Sequence, residues 1–274
     1  MPDKVRKLLT VALTVMLAVG LIMTVISAID RKESKAAYEN AVALASQPVS
    51  VPPPATQPVT EPDLPEEERP PQWVPAAVEE DLIMAALEGI NLQALQQVNP
   101  DVVGWISIPQ TQIHYPITQG EDNEYYLYHT WEHQSNFGGA IFLEAQCNRE
   151  LTDFNTIIYG HNMRNGSMFT DLHAFADPQF AASHPYVYIV TTEGIWRYEI
   201  FASYEAPVDS KTYGLSFRQT KTREDFIRHA LENSQIETGI IPQISDRILT
   251  LSTCTGDGYS ARRVVQARLP MVLE

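Results

Sequence analysis

Cysteine is scarce in this chain of 274 residues: only Cys147 and Cys254 are present. That is too few for a disulfide framework or for a structural zinc site built on thiolates. Cations are also in short supply, with 19 Lys and Arg against 34 Asp and Glu, a net charge of -15. Without clustered Lys and Arg to neutralise phosphates, the balance argues against a nucleic-acid partner. There is no internal repeat. The acidity is uneven, with Glu61, Asp63, Glu66, Glu67, Glu68, Glu79, Glu80 and Asp81 close together. Such a run reads as a solvated, self-repelling segment and not as a binding face.

One long apolar run stands out. Leu8 to Ile29 contains twenty-two residues and no charge. As a helix rising ~1.5 Å per residue it reaches about 33 Å, enough to cross a bilayer core of ~30 Å. A cleaved signal peptide has an apolar core of only ~7–15 residues and ends at a small-x-small site. This run is longer, and Ile26-Ser27-Ala28 is a poor cleavage site. Residues 8–29 therefore read as an uncleaved transmembrane anchor. Lys4, Arg6 and Lys7 precede it and Arg31, Lys32 and Lys35 follow it, so the positive-inside rule is close to a tie.

Residues 30–76 read as a juxtamembrane segment and an acidic linker. Ten of the nineteen prolines lie from Pro48 to Pro75, and proline holds a chain extended. A stiff tether of this kind suggests a folded domain, residues 77–274, working at a distance from the bilayer. From Val78, the apolar residues Ile83, Leu87, Ile90, Leu95 and Val98 follow a helical spacing, weakened at Gly89 and Asn91 and ended by Asn99-Pro100. Beyond Pro100 the texture is β. Short strands are expected at Val102–Ile106, Ile113–Ile117, Ala140–Leu143, Asn155–Tyr159, Tyr186–Thr191, Ile195–Tyr204, Ile248–Ser252 and Val264–Leu269. The pattern predicts a mainly β fold, a barrel or sandwich with added helices. The clearest of those helices begins at Thr222, with Asp225 as a capping-box variant.

Two segments carry the chemistry. Ile248 to Cys254 is a strand running into Thr255-Gly256-Asp257-Gly258, which places Cys254 at a strand's end. The short loop leads at once into a strand opening with Arg262 and Arg263. An arginine near a cysteine lowers the thiol pKa and stabilises a developing oxyanion. Upstream, Asn155 to Tyr159 is an apolar strand followed by Gly160 and His161. A cysteine with a distant histidine brought to it by the fold is a candidate nucleophile and proton donor. With seven histidines in the chain, chance pairings are numerous, so composition leaves the pairing open. Cys147 reads as a small buried hydrophobe.

Tyr159-Gly160-His161-Asn162-Met163, Leu251-Ser252-Thr253-Cys254 and Ala261-Arg262-Arg263-Val264-Val265 resemble the His, Cys and Arg motifs of sortases, and of class B sortases in particular. Asn99 to Ile106, Asp122 to Leu127 and Gly139 to Phe142 are also similar to class B. The likeness runs in order from about Leu82 to Leu269, and an N-terminal anchor with a linker fits the same family. The resemblance implies an eight-stranded β-barrel with an N-terminal helix and a helix between the sixth and seventh strands. It implies a cysteine transpeptidase that cleaves a sorting signal after threonine and joins the new carboxyl group to an amine, with no cofactor or metal. The partners implied are surface proteins bearing sorting signals, and a peptidoglycan precursor or pilin as acceptor. The implied setting is a single-pass membrane protein with residues 1–7 as a cytoplasmic tail and the catalytic domain outside the cell.

The resemblance also assigns roles. Cys254 is the nucleophile, His161 the proton donor and acceptor, and Arg262 the holder of substrate or oxyanion. Arg262 matches the family arginine, which is followed by one variable residue and then valine. Alternation along a strand puts Arg262 and Arg263 on opposite faces. Asn123, Leu127, Tyr159, Tyr213, Ser252 and Thr253 match the substrate groove. With reference pKa values of ~8.5 for cysteine and ~6.5 for histidine, under ~1% of molecules at pH 7 hold both thiolate and imidazolium, which implies slow turnover. Two other readings compete. His129-Thr130-Trp131-Glu132-His133 fits the H-x-x-E-H pattern of a zinc peptidase, which needs both histidines on one helical face. The segment leads into Ser135-Asn136-Phe137-Gly138-Gly139, a loop composition. The other is a non-catalytic surface module that keeps the barrel as a binding scaffold.

Overall fold

The computed structural model describes residues 3–47, 76–255 and 260–270. The proline-rich stretch from 48 to 75 lies outside the described residues, as does most of the loop joining Cys254 to Arg262. The strands are β1 (Val102–Ser107), β2 (His114–Thr118), β3 (Ile141–Leu143), β4 (Asn155–Tyr159), β5 (Tyr186–Thr191), β6 (Gly194–Pro207), β7 (Arg247–Cys254) and β8 (Ala261–Leu269). They close into a barrel in the order β1-β2-β3-β4-β7-β8-β6-β5. The contacts β2–β3 and β4–β7 are parallel and the others antiparallel. Each segment expected to be a strand is one, and the chain is mainly β with added helices.

Alternation along β7 shows how the sequence closes the barrel. Leu249 and Leu251 join the main buried cluster with Ile117, Ile141, Ile158 and Val265. Thr250 and Ser252 face the other way, as the two-residue period of a strand requires. On that outer side a second cluster packs Tyr204, Ile248 and Val264 against Phe226, Ile227 and Ala230 of a helix between β6 and β7.

The helices are α1 (Asp3–Ala45), α2 (Ala76–Glu88), α3 (Leu92–Val98), α4 (Pro178–Ser183) and α5 (Thr220–Asn233). The helix expected from Val78 to Val98 is split in two at Gly89, with Asn91 capping α3 by accepting from the Ala94 amide at 3.0 Å. α3 ends at Asn99, before Pro100, as the sequence requires. α5 begins at Thr220, two residues before the expected start, and Gln219 at its N-cap makes no side-chain bond. Thr222 already lies inside the helix, so its hydroxyl donates back to the Gln219 carbonyl at 2.6 Å and no capping box forms. Asp225 pairs instead with Lys221 and Arg228.

α1 runs past the end of the apolar stretch. It is long and apolar enough to cross a membrane, but it does not stop at Ile29. The helix continues to Ala45, and its last turns pack on the domain. Tyr38, Ala41 and Ala45 are buried in the main cluster. The Tyr38 hydroxyl donates to the Gly139 carbonyl at 2.6 Å, and Trp131 Nε1 donates to the Ala37 carbonyl at 2.9 Å. The Asn91 amide donates to the Ala45 carbonyl at 2.7 Å. The apolar run and the folded body are thus one uninterrupted helix, with no spacer between them. Ser34 and Ala37 are buried along the same helix.

Candidate active site

Parallel pairing of β4 and β7 sets Tyr159 opposite Ser252, and both strands leave the barrel at the same end. The Gly160 amide donates to the Ser252 carbonyl at 3.2 Å, which carries the pairing one residue further. His161 and Cys254, each two residues beyond the Tyr159–Ser252 pair, therefore emerge on neighbouring strands spaced ~4.8 Å apart. On the other side of β7, Cys254 is the antiparallel partner of Arg262. The three expected residues meet at one rim. Glycine fits at 160 because a Cβ there would run into Ile141 Cδ1 and lie 2.8 Å from Phe169 Cγ.

The His161 ring is partly buried. Its Nε2 lies 2.8 Å from the Leu127 carbonyl, and Phe137 stacks on it with centroids 6.2 Å apart. Burial depresses the imidazole pKa most; the Leu127 carbonyl, which accepts from the ring, opposes that shift, and the Arg262 charge adds to it. Asn162 Nδ2 donates to the Cys254 carbonyl at 3.1 Å, and His173 Nε2 reaches the same oxygen at 2.9 Å. The backbone bearing the thiol is thus held by two side chains that the sequence did not single out.

The two arginines separate as alternation requires. Arg263 is buried, paired with Glu205 at 2.8 Å and donating to Gln235 Oε1 at 2.6 Å. Those bonds tie it to the framework. Arg262 is on the face of Cys254. Cys147 packs in the main cluster, where burial pushes its thiol up to about 12. It stays protonated and unreactive at neutral pH.

Most of the residues expected to line the groove gather beside the rim. Tyr159 and Tyr213 stack with centroids 6.4 Å apart, and the Tyr213 hydroxyl lies 3.0 Å from Ser252 Oγ. Leu127 and Tyr159 pack on the same small cluster with Phe142. Asn123 Nδ2 donates to both oxygens of Glu144, at 2.8 and 2.7 Å, and the Tyr159 hydroxyl donates to Glu144 Oε2 at 3.0 Å. Burial, and then the Glu144 charge, raise the Tyr159 phenol far above its ordinary range. Thr253 does not join them. Its side chain is buried on the opposite strand face from Ser252 and Cys254, and its hydroxyl has no hydrogen-bond partner among the described residues.

Glu144 was not anticipated. A lone carboxylate just after the short strand β3 gives no sequence signal, since its partners lie 15 and 21 residues away. The zinc reading fails on geometry. His129 to His133 form a turn and not a helix, so the two histidines share no helical face. His129 Nδ1 lies 2.8 Å from the Tyr125 carbonyl, His133 Nδ1 lies 3.1 Å from the Tyr125 hydroxyl, and Glu132 accepts from Asn40.

The closed eight-strand barrel thus brings a cysteine, a histidine and an arginine to one rim. The sortase domain family matches residues 106–270, and the chain belongs to that family, whose members are cysteine transpeptidases. The class B type is shown by its relatives. Sortase B of Listeria monocytogenes is 39% identical over 181 residues, covering 65% of this chain and 74% of that protein. The crystal structure of Clostridium perfringens sortase B superposes with a TM-score of 0.62 at 32% identity, covering 66% of this chain and 100% of that one. Staphylococcus aureus sortase B superposes at 0.64 and 25% identity, covering 72% and 95%.

Proposed function

We propose that the chain is a membrane-anchored transpeptidase that cuts a C-terminal sorting signal after threonine and transfers the protein to an amine of the cell wall or of a pilin. In this reading the Cys254 thiolate attacks the threonine carbonyl, and the resulting oxyanion is held by Arg262. His161 protonates the departing amine as the C–N bond breaks, which leaves a thioacyl enzyme. The incoming amine attacks that thioester, His161 takes its proton, and the thiolate departs. Asn123, Leu127, Tyr159, Tyr213 and Ser252 form the groove for the signal. Thr253 has a part only through its backbone. α1 holds the domain on the outer face of the membrane, with residues 1–7 in the cytoplasm.

The observation that carries this reading is the convergence of β4, β7 and β8 on a single rim, with Cys254 paired to Arg262. Incubation of the purified chain with Asn-Pro-x-Thr-like signal peptides, followed by mass spectrometry, should trap an acyl group on Cys254. Cys254→Ala should keep the fold and lose cleavage altogether. Turnover that survives in Cys254→Ala, or fast and broad peptidase activity in the parent, would overturn the assignment.

A further inference from the structure

A cleft of about 630 Å³ opens between α1 and two loops of the domain. Its walls include Met23, Ile26 and Arg31 from the helix, and Phe137, Met163 and Arg164 from the loops. The volume falls within the ~300–1,000 Å³ range of small-ligand sites. The position of the cleft along α1 decides what can enter it. Met23 and Ile26 belong to the uncharged run that ends at Ile29. At ~1.5 Å per residue they lie about 9 and 4.5 Å inside the end of that run. Asn136 Nδ2 donates to the carbonyl of Asp30, the first residue past it, at 2.8 Å. The loop carrying Phe137 is therefore pinned at the level where the apolar run stops. Phe137 is 66% exposed there, an aromatic side chain left largely open to the surroundings.

We infer that this cleft is occupied by an anionic phospholipid of the adjoining leaflet. The inference rests on the reading of α1 as a membrane anchor. If the run spans the bilayer, the inner part of the cleft lies in hydrocarbon, where acyl chains and not water are the available filling. The outer part carries Arg31 and Arg164 against the single carboxylate of Asp30, so it favours a negative head group. Phe137 contributes apolar area at the interface, where aromatic side chains are favoured. The seat is next to the chemistry. Phe137 stacks on His161, and Asn162, which also lines the cleft, holds the Cys254 carbonyl.

The test uses the full chain in nanodiscs of phosphatidylcholine containing a minor fraction of phosphatidylglycerol. A photoreactive benzoylphenylalanine replaces Phe137 in one sample and the exposed Glu237, on the α5–β7 connection, in another. Irradiation should attach lipid at position 137 and not at 237. Phosphatidylglycerol should be captured over its mole fraction by about fivefold, and Arg164→Glu in the same background should remove that preference. A chain that stays embedded in the disc but gives no adduct at 137 overturns the lipid seat and leaves the anchor standing. A chain that does not embed overturns both. Capture in proportion to mole fraction, unchanged by Arg164→Glu, overturns the anionic head group.

Discussion

Replacement of Asn155 by Asp isolates the device that seats Tyr213. Asn155 is 1% exposed. Its Nδ2 donates to the carbonyls of Thr212 and Gly214, at 3.2 and 3.0 Å, the two residues flanking Tyr213. Its Oδ1 accepts from Thr250 Oγ1 at 2.6 Å. Thr250 accepts in turn from Gln266 Nε2 at 2.9 Å, and Gln266 Oε1 accepts from Tyr204 at 3.0 Å. Asn155→Asp keeps the volume and the Thr250 bond but turns the double donor into an oxygen facing two carbonyls. Each buried group left unsatisfied costs roughly 1–3 kcal/mol. A protonated Asp gives one donor back, so one carbonyl is left unsatisfied and the net loss is about 2 kcal/mol. For a domain of this size that lowers Tm by about 4–8 °C.

The pH dependence supplies the sign. The new carboxyl is buried beside acceptors, so its folded pKa rises above the unfolded ~3.9. Its stabilising, protonated form is complete below that value and is lost as pH rises through the folded pKa. The gap in Tm between Asn155→Asp and the parent should therefore widen from pH 5 to pH 8. With Tyr213 unseated, KM for a signal peptide should rise while kcat changes little. Tyr213→Phe is the control, losing only the contact with Ser252, about 0.5–1.5 kcal/mol. A variant that melts within ~2 °C of the parent at both pH values, against the loss worked above, would show that other donors satisfy those carbonyls and that the clamp does not exist.

Glu144→Gln presents an amide N–H₂ to Asn123 Nδ2 or to the Tyr159 hydroxyl, so at least one charge-assisted bond is lost. KM for the signal peptide should rise about tenfold, the equivalent of ~1.4 kcal/mol, and steady-state cleavage that keeps the parent KM would refute the role. The depressed His161 pKa sets the acid limb of the kcat/KM profile below the ordinary ~6.5. Because Arg262 is one cause of that shift, Arg262→Met should move the limb upward in whatever activity remains, measured as acyl-enzyme formation from pH 5 to 8. A limb that stays put would separate Arg262 from His161.

The barrel was legible because its strands carry their own signal: alternation in Leu249-Thr250-Leu251-Ser252 states both the fold element and the face of Cys254. The course of α1 beyond Ile29 was not. Residues 30–36 are mostly charged or polar, and the stripe Ala37, Tyr38, Ala41 and Ala45 has meaning only once Trp131 and Gly139 are known to meet it. Glu144 and Asn155 were missed because a single polar residue at a strand terminus reads as solvated. What buries Asn155 is a turn 57 residues downstream. The start of α5 was misplaced because Thr222 has the composition of a cap but sits one turn too late to be one.

The unbroken α1 makes the height and heading of the catalytic rim a matter of helical phase. One residue added between Ile29 and Ser34 would lift the barrel by about 1.5 Å and swing it by ~100°, carrying Asn136 away from its helix carbonyl. Seven residues would complete nearly two turns, restoring the heading to within ~20° while raising the rim by ~10.5 Å. Insertions close to whole turns thus shift the rim along the helix axis and keep its heading, and any other length rotates the groove toward a different part of its surroundings.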